Sequence, residues 1–463
     1  MPAQLRSRIV NFQSTLLGRI FTNAGWVSSA SVITLILGIV QTGILARLLG
    51  PQGVGVLGLF MALRALSVSL FSLNSSEAVM VYTVRAISLN EPEVANGVIR
   101  NGYITDLATS LIAFLILAIM AMLLPNWLKI PENYRPLLLL YAATVVFNSG
   151  YGVSNAILRV AGRFSWTFVA AVVIALLKVL TFVIVWKLHG RFFEVILTLV
   201  LTELCSGLLY FYLAKRALGT MNLSFQAGKW QMNKEILKFQ LTGYGRQVFK
   251  SLNNSVDTLM IGYLTNTVQV GFYRAGTQIV KQMQIPAQSM VTSLFPEYSR
   301  LWFEGRTNEL RKLILRLLCI FGGVGALAAT VIWFGAETFV RIIFGEKFLP
   351  ATDTIRILFI SGFALLVISP VYSFPVAIGK PAITTWTSGA ALLVQVIVLI
   401  WLAPGMGAIG AAWSNVAYFA TWSIMILPTT AIILRRPKEE SAQLGENLPH
   451  SMAIKEPAQN KED

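Results

Sequence analysis

Apolar runs of about 20 residues recur along the whole of this 463-residue chain. A helix of that length crosses the roughly 30 Å hydrocarbon core of a bilayer. Inside that core only helices or closed barrels satisfy every backbone N–H and C=O. The pattern predicts twelve transmembrane helices, at 22–45, 56–82, 103–124, 136–158, 164–186, 192–214, 237–264, 270–296, 313–334, 355–377, 382–402 and 408–434. The expected fold is an all-α polytopic membrane protein. Residues 1–21 form a short leading segment, with no apolar core before a small-residue cleavage site, so no removable signal peptide is expected. The tail 435–463 is polar and aperiodic and reads as disordered.

The chain repeats itself. Gly53-Val54-Gly55-Val56 follows the first span and Gln269-Val270-Gly271-Phe272 the seventh. Gln41-Thr42 and Asp257-Thr258 stand at the same offset of 216 residues, and Gly162-Arg163 and Gly379-Lys380 at 217. Two six-helix lobes in the same orientation are implied, 22–214 and 237–434, joined by the segment 215–236. That segment carries Trp230 and several lysines and reads as an interfacial stretch.

Charge inside the spans changes the picture. Arg246, Lys250, Asn253 and Asp257 are spaced for one face of the seventh span, and Arg274, Gln278 and Lys281 for one face of the eighth. Each Arg or Lys at a bilayer centre costs about 2.5–3.5 kcal/mol. Four facing lipid would cost on the order of 10 kcal/mol, so the stripes are expected to face a wet interior. Arg64 shares a face with Ser67, Asn74 or Ser75, and Ala78 in the second span, and the first span presents Ser31, Thr34, Gly38 and Gln41 or Thr42. Polar stripes on the first two helices of each repeat would meet between the lobes around a central cationic cavity. A cavity lined by Arg64, Arg246, Lys250, Arg274 and Lys281 suits an anionic substrate. Lys178 and Glu203, both mid-span, read as an ion pair between neighbouring helices or as part of the same cavity. Asp257 reads either as a neutraliser of nearby bases or as an ion-coupling site, with Glu77 its counterpart in the first half. Asp106 and Glu297 fall near predicted helix ends and carry less weight.

Composition supports and limits this reading. Only 13% of residues are charged against 55% hydrophobic, with mean hydropathy +0.67, where soluble domains carry about 25% charged residues. The formal net charge is +16. With the N-terminus inside, cytoplasmic segments hold about three times as many Lys and Arg as the opposite loops, which carry Arg47, Lys129, Arg135, Lys187, Arg191, Arg341 and Lys347. Both termini are therefore expected in the cytoplasm, and the positive charge belongs to topology and anionic headgroups rather than to nucleic acid. Cys205 and Cys319 lie inside predicted helices and read as small buried apolar residues. No His or Cys cluster has metal spacing, no Gly-rich loop ends in Gly-Lys-Ser or Gly-Lys-Thr, and the loops are too short for a catalytic domain. No cofactor, metal or enzymatic activity is expected.

Several stretches carry a resemblance. Ala46-Arg47-Leu48-Leu49-Gly50-Pro51 followed by Gly53-Val54-Gly55 closely resembles the first loop of bacterial polysaccharide flippases. Asp257-Thr258-Leu259-Met260-Ile261-Gly262, Val270-Gly271-Phe272-Tyr273, Leu294-Phe295-Pro296, Phe344-Gly345-Glu346-Lys347-Phe348, Ile378-Gly379-Lys380-Pro381 and Gly407-Ala408-Ile409-Gly410-Ala411-Ala412 look like the same family. These are the Wzx-type exporters of O-antigen and exopolysaccharide units, within the multidrug/oligosaccharidyl-lipid/polysaccharide exporter superfamily. The resemblance implies alternating access in the inner membrane and an undecaprenyl-pyrophosphate-linked glycan as substrate. Its pyrophosphate would meet the cavity bases while the polyprenyl tail stays in lipid. Membrane lipids, a polysaccharide polymerase and glycosyltransferases are the further partners implied. A lipid II flippase, which commonly has two more helices, and a cation-coupled drug antiporter share the superfamily. A non-transporting scaffold for glycan assembly is the alternative of a different class.

Overall fold

The computed structural model describes residues 16–73, 75–224 and 234–435, with some side chains in these ranges left out of the description. Its elements are α1 (Leu16–Phe71), α2 (Ser75–Ser88), α3 (Pro92–Leu123), α4 (Arg135–Phe147), α5 (Tyr151–Val160), α6 (Phe164–Lys187), α7 (Phe192–Thr220), α8 (Lys234–Leu264), α9 (Thr267–Phe303), α10 (Thr307–Ile343), α11 (Thr352–Ala377), α12 (Pro381–Met406) and α13 (Ala408–Arg435), with 3₁₀ turns at Glu132–Tyr134 and Glu346–Ala351. The fold is all-helical, as the apolar pattern predicts.

Nine helices among the described residues are long and apolar enough to cross a membrane. The 40-residue stretch Val32–Phe71 would span about 60 Å as a straight helix, twice the hydrocarbon core. It changes direction at Gly50, where φ is 65°, and Pro51 opens the next segment, a position where its missing N–H costs nothing. α8 and α9 fall outside the nine because they carry the polar stripes. Counting them, and two passes for Val32–Phe71, accounts for the twelve expected crossings. The outer surface is apolar: Phe334 and Trp401 are each 81% exposed, which suits contact with lipid.

Three boundaries differ from the sequence expectation. The second predicted span, 56–82, leaves the helix at Ser72 and Leu73. The fourth, 136–158, is two helices hinged at Asn148–Gly150, with Gly150 left-handed at φ 76°. α7 continues to Thr220, so the expected linker 215–236 begins as helix, and residues 225–233 lie outside the described set, as do 1–15 and 436–463. Cys205 and Cys319 are exposed rather than buried. Lipid is as apolar as a protein core, so a small apolar residue in a span needs no burial.

The two halves of the chain meet where α1 crosses α9. A Cβ added at Gly55 would lie 1.7 Å from the Thr267 carbonyl oxygen, and one at Gly271 would lie 1.9 Å from that of Pro51. Gly55 and Gly271, and likewise Pro51 and Thr267, are 216 residues apart. The contact is therefore reciprocal under the offset found in the sequence, and only glycine lets the backbones approach this closely.

At the end of the bundle carrying these glycines, one apolar core joins both halves. Phe60, Leu117, Tyr141 and Phe192 of the first half share it with Tyr273, Phe344, Phe348 and Ala411 of the second. Arg47 donates to the Ile342 carbonyl, Lys129 Nζ donates to the Thr265 carbonyl at 2.5 Å, and Trp127 stacks on Tyr263 with centroids 5.9 Å apart. At the opposite end the core divides. Val79, Ile99, Val153 and Tyr210 form one cluster in the first half, and Tyr298, Trp302, Phe374 and Trp422 another in the second. The cores are joined at one end and separate at the other, where α8 still bridges the halves: Tyr244 donates to the Leu70 carbonyl and Ile236 packs against the first-half cluster.

Candidate functional site

A cavity of about 310 Å³ lies where the split meets the shared core. α1 supplies Gln41 and Arg64, α4 Tyr141, α6 Lys178, α7 Glu203, α8 Ser255 and α9 Arg274. Three cations therefore face one cavity with a single carboxylate among the lining residues. Glu203 holds the wall together. Its Oε1 is 2.9 Å from Lys178 Nζ, its Oε2 accepts from Asn148 Nδ2 at 2.8 Å, and Arg64 Nη2 stands 3.9 Å away. The Lys178–Glu203 contact expected from sequence is thus present, and both residues also line the cavity.

Arg274 differs from the other two. It is buried, at 9% exposure, and its Nη2 lies 3.7 Å from the sulfur of Met61. Among the described residues it makes no ion pair. Gly58 provides its space: a Cβ there would come within 2.8 Å of Arg274 Cγ and 3.2 Å of its Nε. Arg64 Nε is also buried without a hydrogen-bond partner. Burying a cation without a direct ion pair is costly, and the Asp257 carboxylate offsets part of the charge on Arg274. A site of this kind is suited to water or to an anionic ligand.

The other expected site residues are distributed differently. Asp257 accepts from the Tyr273 hydroxyl at 2.6 Å and from the Thr258 backbone at 2.6 Å, and Asn415 Nδ2 donates to the same hydroxyl at 3.3 Å. It thus belongs to a cluster of α8, α9 and α13 and does not line the cavity. Glu77, in the first turn of α2, lines neither this cavity nor the next. Arg246 and Lys250 lie on α8 and Lys281 on α9, but their side chains lie outside the described set.

A second cavity, of about 440 Å³, shares Arg64 and runs into the first half. Ser72, Ser75, Asp106, Thr109, Asn148 and Ser149 are among its lining. Asp106 was expected near a helix end. α3 begins at Pro92, about four turns earlier, so the carboxylate sits well inside the bundle. Sequence reading also missed Tyr141 and Asn148. The polar triplet Asn148-Ser149-Gly150 in the middle of a predicted span was the available signal for the second.

The chain folds as an all-helical bundle with polar cavities among its helices. Solved structures share this fold. An inward-facing multidrug resistance MATE family transporter of the MOP superfamily matches with a TM-score of 0.72 at 16% identity, covering 90% of this chain and all of that one. Its outward-facing counterpart gives 0.58 at 17% identity, over 89% and 95%. The lipid II flippase MurJ in an inward closed conformation gives 0.63 at 11% identity, over 92% and 94%.

The model of the polysaccharide biosynthesis protein family matches residues 20–302, well over half of the chain, and this chain belongs to that family. The MatE family model also matches, over residues 245–402. The inner membrane protein YghQ of Escherichia coli is 21% identical over 73% of this chain and 95% of its own length. A membrane protein in the cps region of Klebsiella pneumoniae is 22% identical over 84% and 77%.

Proposed function

We propose that this protein is a flippase. It carries a polyprenyl-pyrophosphate-linked oligosaccharide, with undecaprenol as the expected lipid, from the cytoplasmic to the outer leaflet of the inner membrane by alternating access. The observation that carries the reading is the cavity of Arg64, Lys178 and Arg274 against Glu203 alone, with Arg274 buried and unpaired among the described residues. Guanidinium groups bind phosphate through strong charge-assisted hydrogen bonds. A glycan cannot cross hydrocarbon unaided because its hydroxyls lose their water partners. A wet cleft between two helical lobes, 22–214 and 237–434, removes that barrier without any chemistry on the substrate. Both termini lie in the cytoplasm in this proposal, so the split end faces the site of glycan assembly. Arg246, Lys250 and Lys281 extend the anion path along α8 and α9.

The cluster at Asp257 and the MatE match over the same part of the chain support ion coupling, with Asp257 as the proposed site. They also favour the antiporter as the second reading. The test is flipping in proteoliposomes with a fluorescent polyprenyl-pyrophosphate oligosaccharide and a cationic drug probe. Wild type is expected to move the anionic lipid, and Arg274→Ala to move it at least about tenfold more slowly, the loss of one charge-assisted contact. Movement of the drug alone would replace the flippase with the antiporter.

A further inference from the structure

The second cavity has features that the phosphate-binding reading leaves unused. Its wall contains two places where predicted spans of the first half break among the described residues, at Ser72 and at Asn148–Gly150. Inside a bilayer, irregular backbone is tolerated only where it is packed in protein or lines a water-filled space. Discontinuous helices of transporters gather at their binding sites for the same reason. The second half has no such breaks at the corresponding places: α9 runs without interruption over Thr267–Phe303 and α11 over Thr352–Ala377. The repeat has been altered on one side only.

The chemistry of the wall selects among ligands. Hydroxyls of Ser72, Ser75 and Thr109 line it with the amide of Asn148 and the carboxylate of Asp106. Asn148 Oδ1 is buried without a partner, and Ser75 is 1% exposed. An anion would be repelled by Asp106. A lipid tail would leave the polar wall unsatisfied. A bare cation would find a space of about 440 Å³, far wider than a coordination shell, and the described residues contain no metal-binding group of three or more His, Cys, Asp or Glu. A neutral sugar fits. Its hydroxyls donate and accept, as do those of the wall, and the volume lies within the roughly 300–1,000 Å³ of small-molecule sites.

We infer that this chamber is the glycan subsite and seats the first neutral or N-acetylated sugar of the lipid-linked substrate. Asp106 and Asn148 accept hydrogen bonds from its hydroxyls, and Arg64 on the shared wall marks the boundary with the pyrophosphate. The inference rests on the proposed flippase reading. It excludes a uronic acid at the first position, because Asp106 would face a second carboxylate.

The test uses the full-length protein in nanodiscs and two probes, polyprenyl pyrophosphate without sugar and the same lipid carrying one N-acetylhexosamine. The variants are Asp106→Asn, which preserves shape, and Gly152→Ala. The latter places a methyl 3.7 Å from Asp106 Oδ2 and 3.4 Å from Ser76 Cβ, ordinary contacts that narrow the chamber without a clash. Wild type is expected to bind the glycosylated probe more tightly. Both variants are expected to lose about tenfold in affinity for it while binding the bare lipid unchanged; Arg64→Gln weakens both probes. Equal binding of the two probes by wild type, or equal loss of both in the chamber variants, overturns the inference and leaves the flippase standing. Wild type binding neither probe removes the flippase reading and the subsite with it.

Discussion

Arg274 and Lys178 are both cations in one cavity, yet their surroundings assign them different work. Lys178 faces Glu203 at 2.9 Å, whereas Arg274 is buried beside a thioether. Removing one member of a partly buried pair leaves the other uncompensated. Lys178→Ala is therefore expected to lower stability by about 2 kcal/mol, and Lys178→Met combined with Glu203→Gln to recover most of it. Thermal unfolding in detergent across the double-mutant cycle reads that coupling. Gly58→Ala is expected to separate binding from folding. Its methyl would come within 2.8 Å of Arg274 Cγ, near the base of a buried side chain, so Arg274 must shift. The gain of about 1 kcal/mol in helix propensity offsets part of the crowding, so the protein still folds while affinity for the phosphate-bearing probe falls roughly fivefold.

At the scale of elements, the crossing of α1 and α9 has no room to adapt. The atoms facing Gly55 and Gly271 are backbone carbonyls, which cannot rotate away as a side chain can. Gly271→Ala is expected to destabilise by about 3 kcal/mol or more, within the overpacking range, and to lower the yield of monodisperse protein on size exclusion. Recovery of wild-type yield would show that the crossing can open without cost. The repeat was visible in the sequence at these positions, because glycine there answers a backbone need that leaves a local signature. The interruptions after Phe71 and at Asn148–Gly150 were harder to see. Their flanks remain apolar, and the N–H groups of Ser72, Asn148 and Ser149 still bond to nearby carbonyls, so the breaks leave little trace in the pattern.

For the whole molecule, the shared apolar core and the contacts of Arg47, Lys129 and Trp127 hold one end shut, while the cores separate at the other. In a background with Cys205 and Cys319 replaced, Ser72→Cys is expected to react with a membrane-impermeant maleimide from one side of oriented vesicles only. Adding Arg47→Ala and Lys129→Ala removes two closing contacts and is expected to raise labelling of a cavity cysteine from the other side. Labelling from both sides in the parent protein would contradict a closed end.

The sequence by itself determined the helical membrane class, the approximate positions of the crossings, the 216-residue repeat and the presence of unusual charge within spans. These follow from local requirements: bilayer thickness sets helix length, and a charge in hydrocarbon carries a cost wherever it occurs. Only the tertiary structure decided which charges share a space. Arg64 and Arg274, from opposite halves of the chain, join the neighbouring pair Lys178 and Glu203, and Asp257 is drawn instead to Tyr273 and Asn415. Helical periodicity fixes the face on which a side chain lies. The neighbour that face meets is set by packing between helices, which no single stretch of sequence contains.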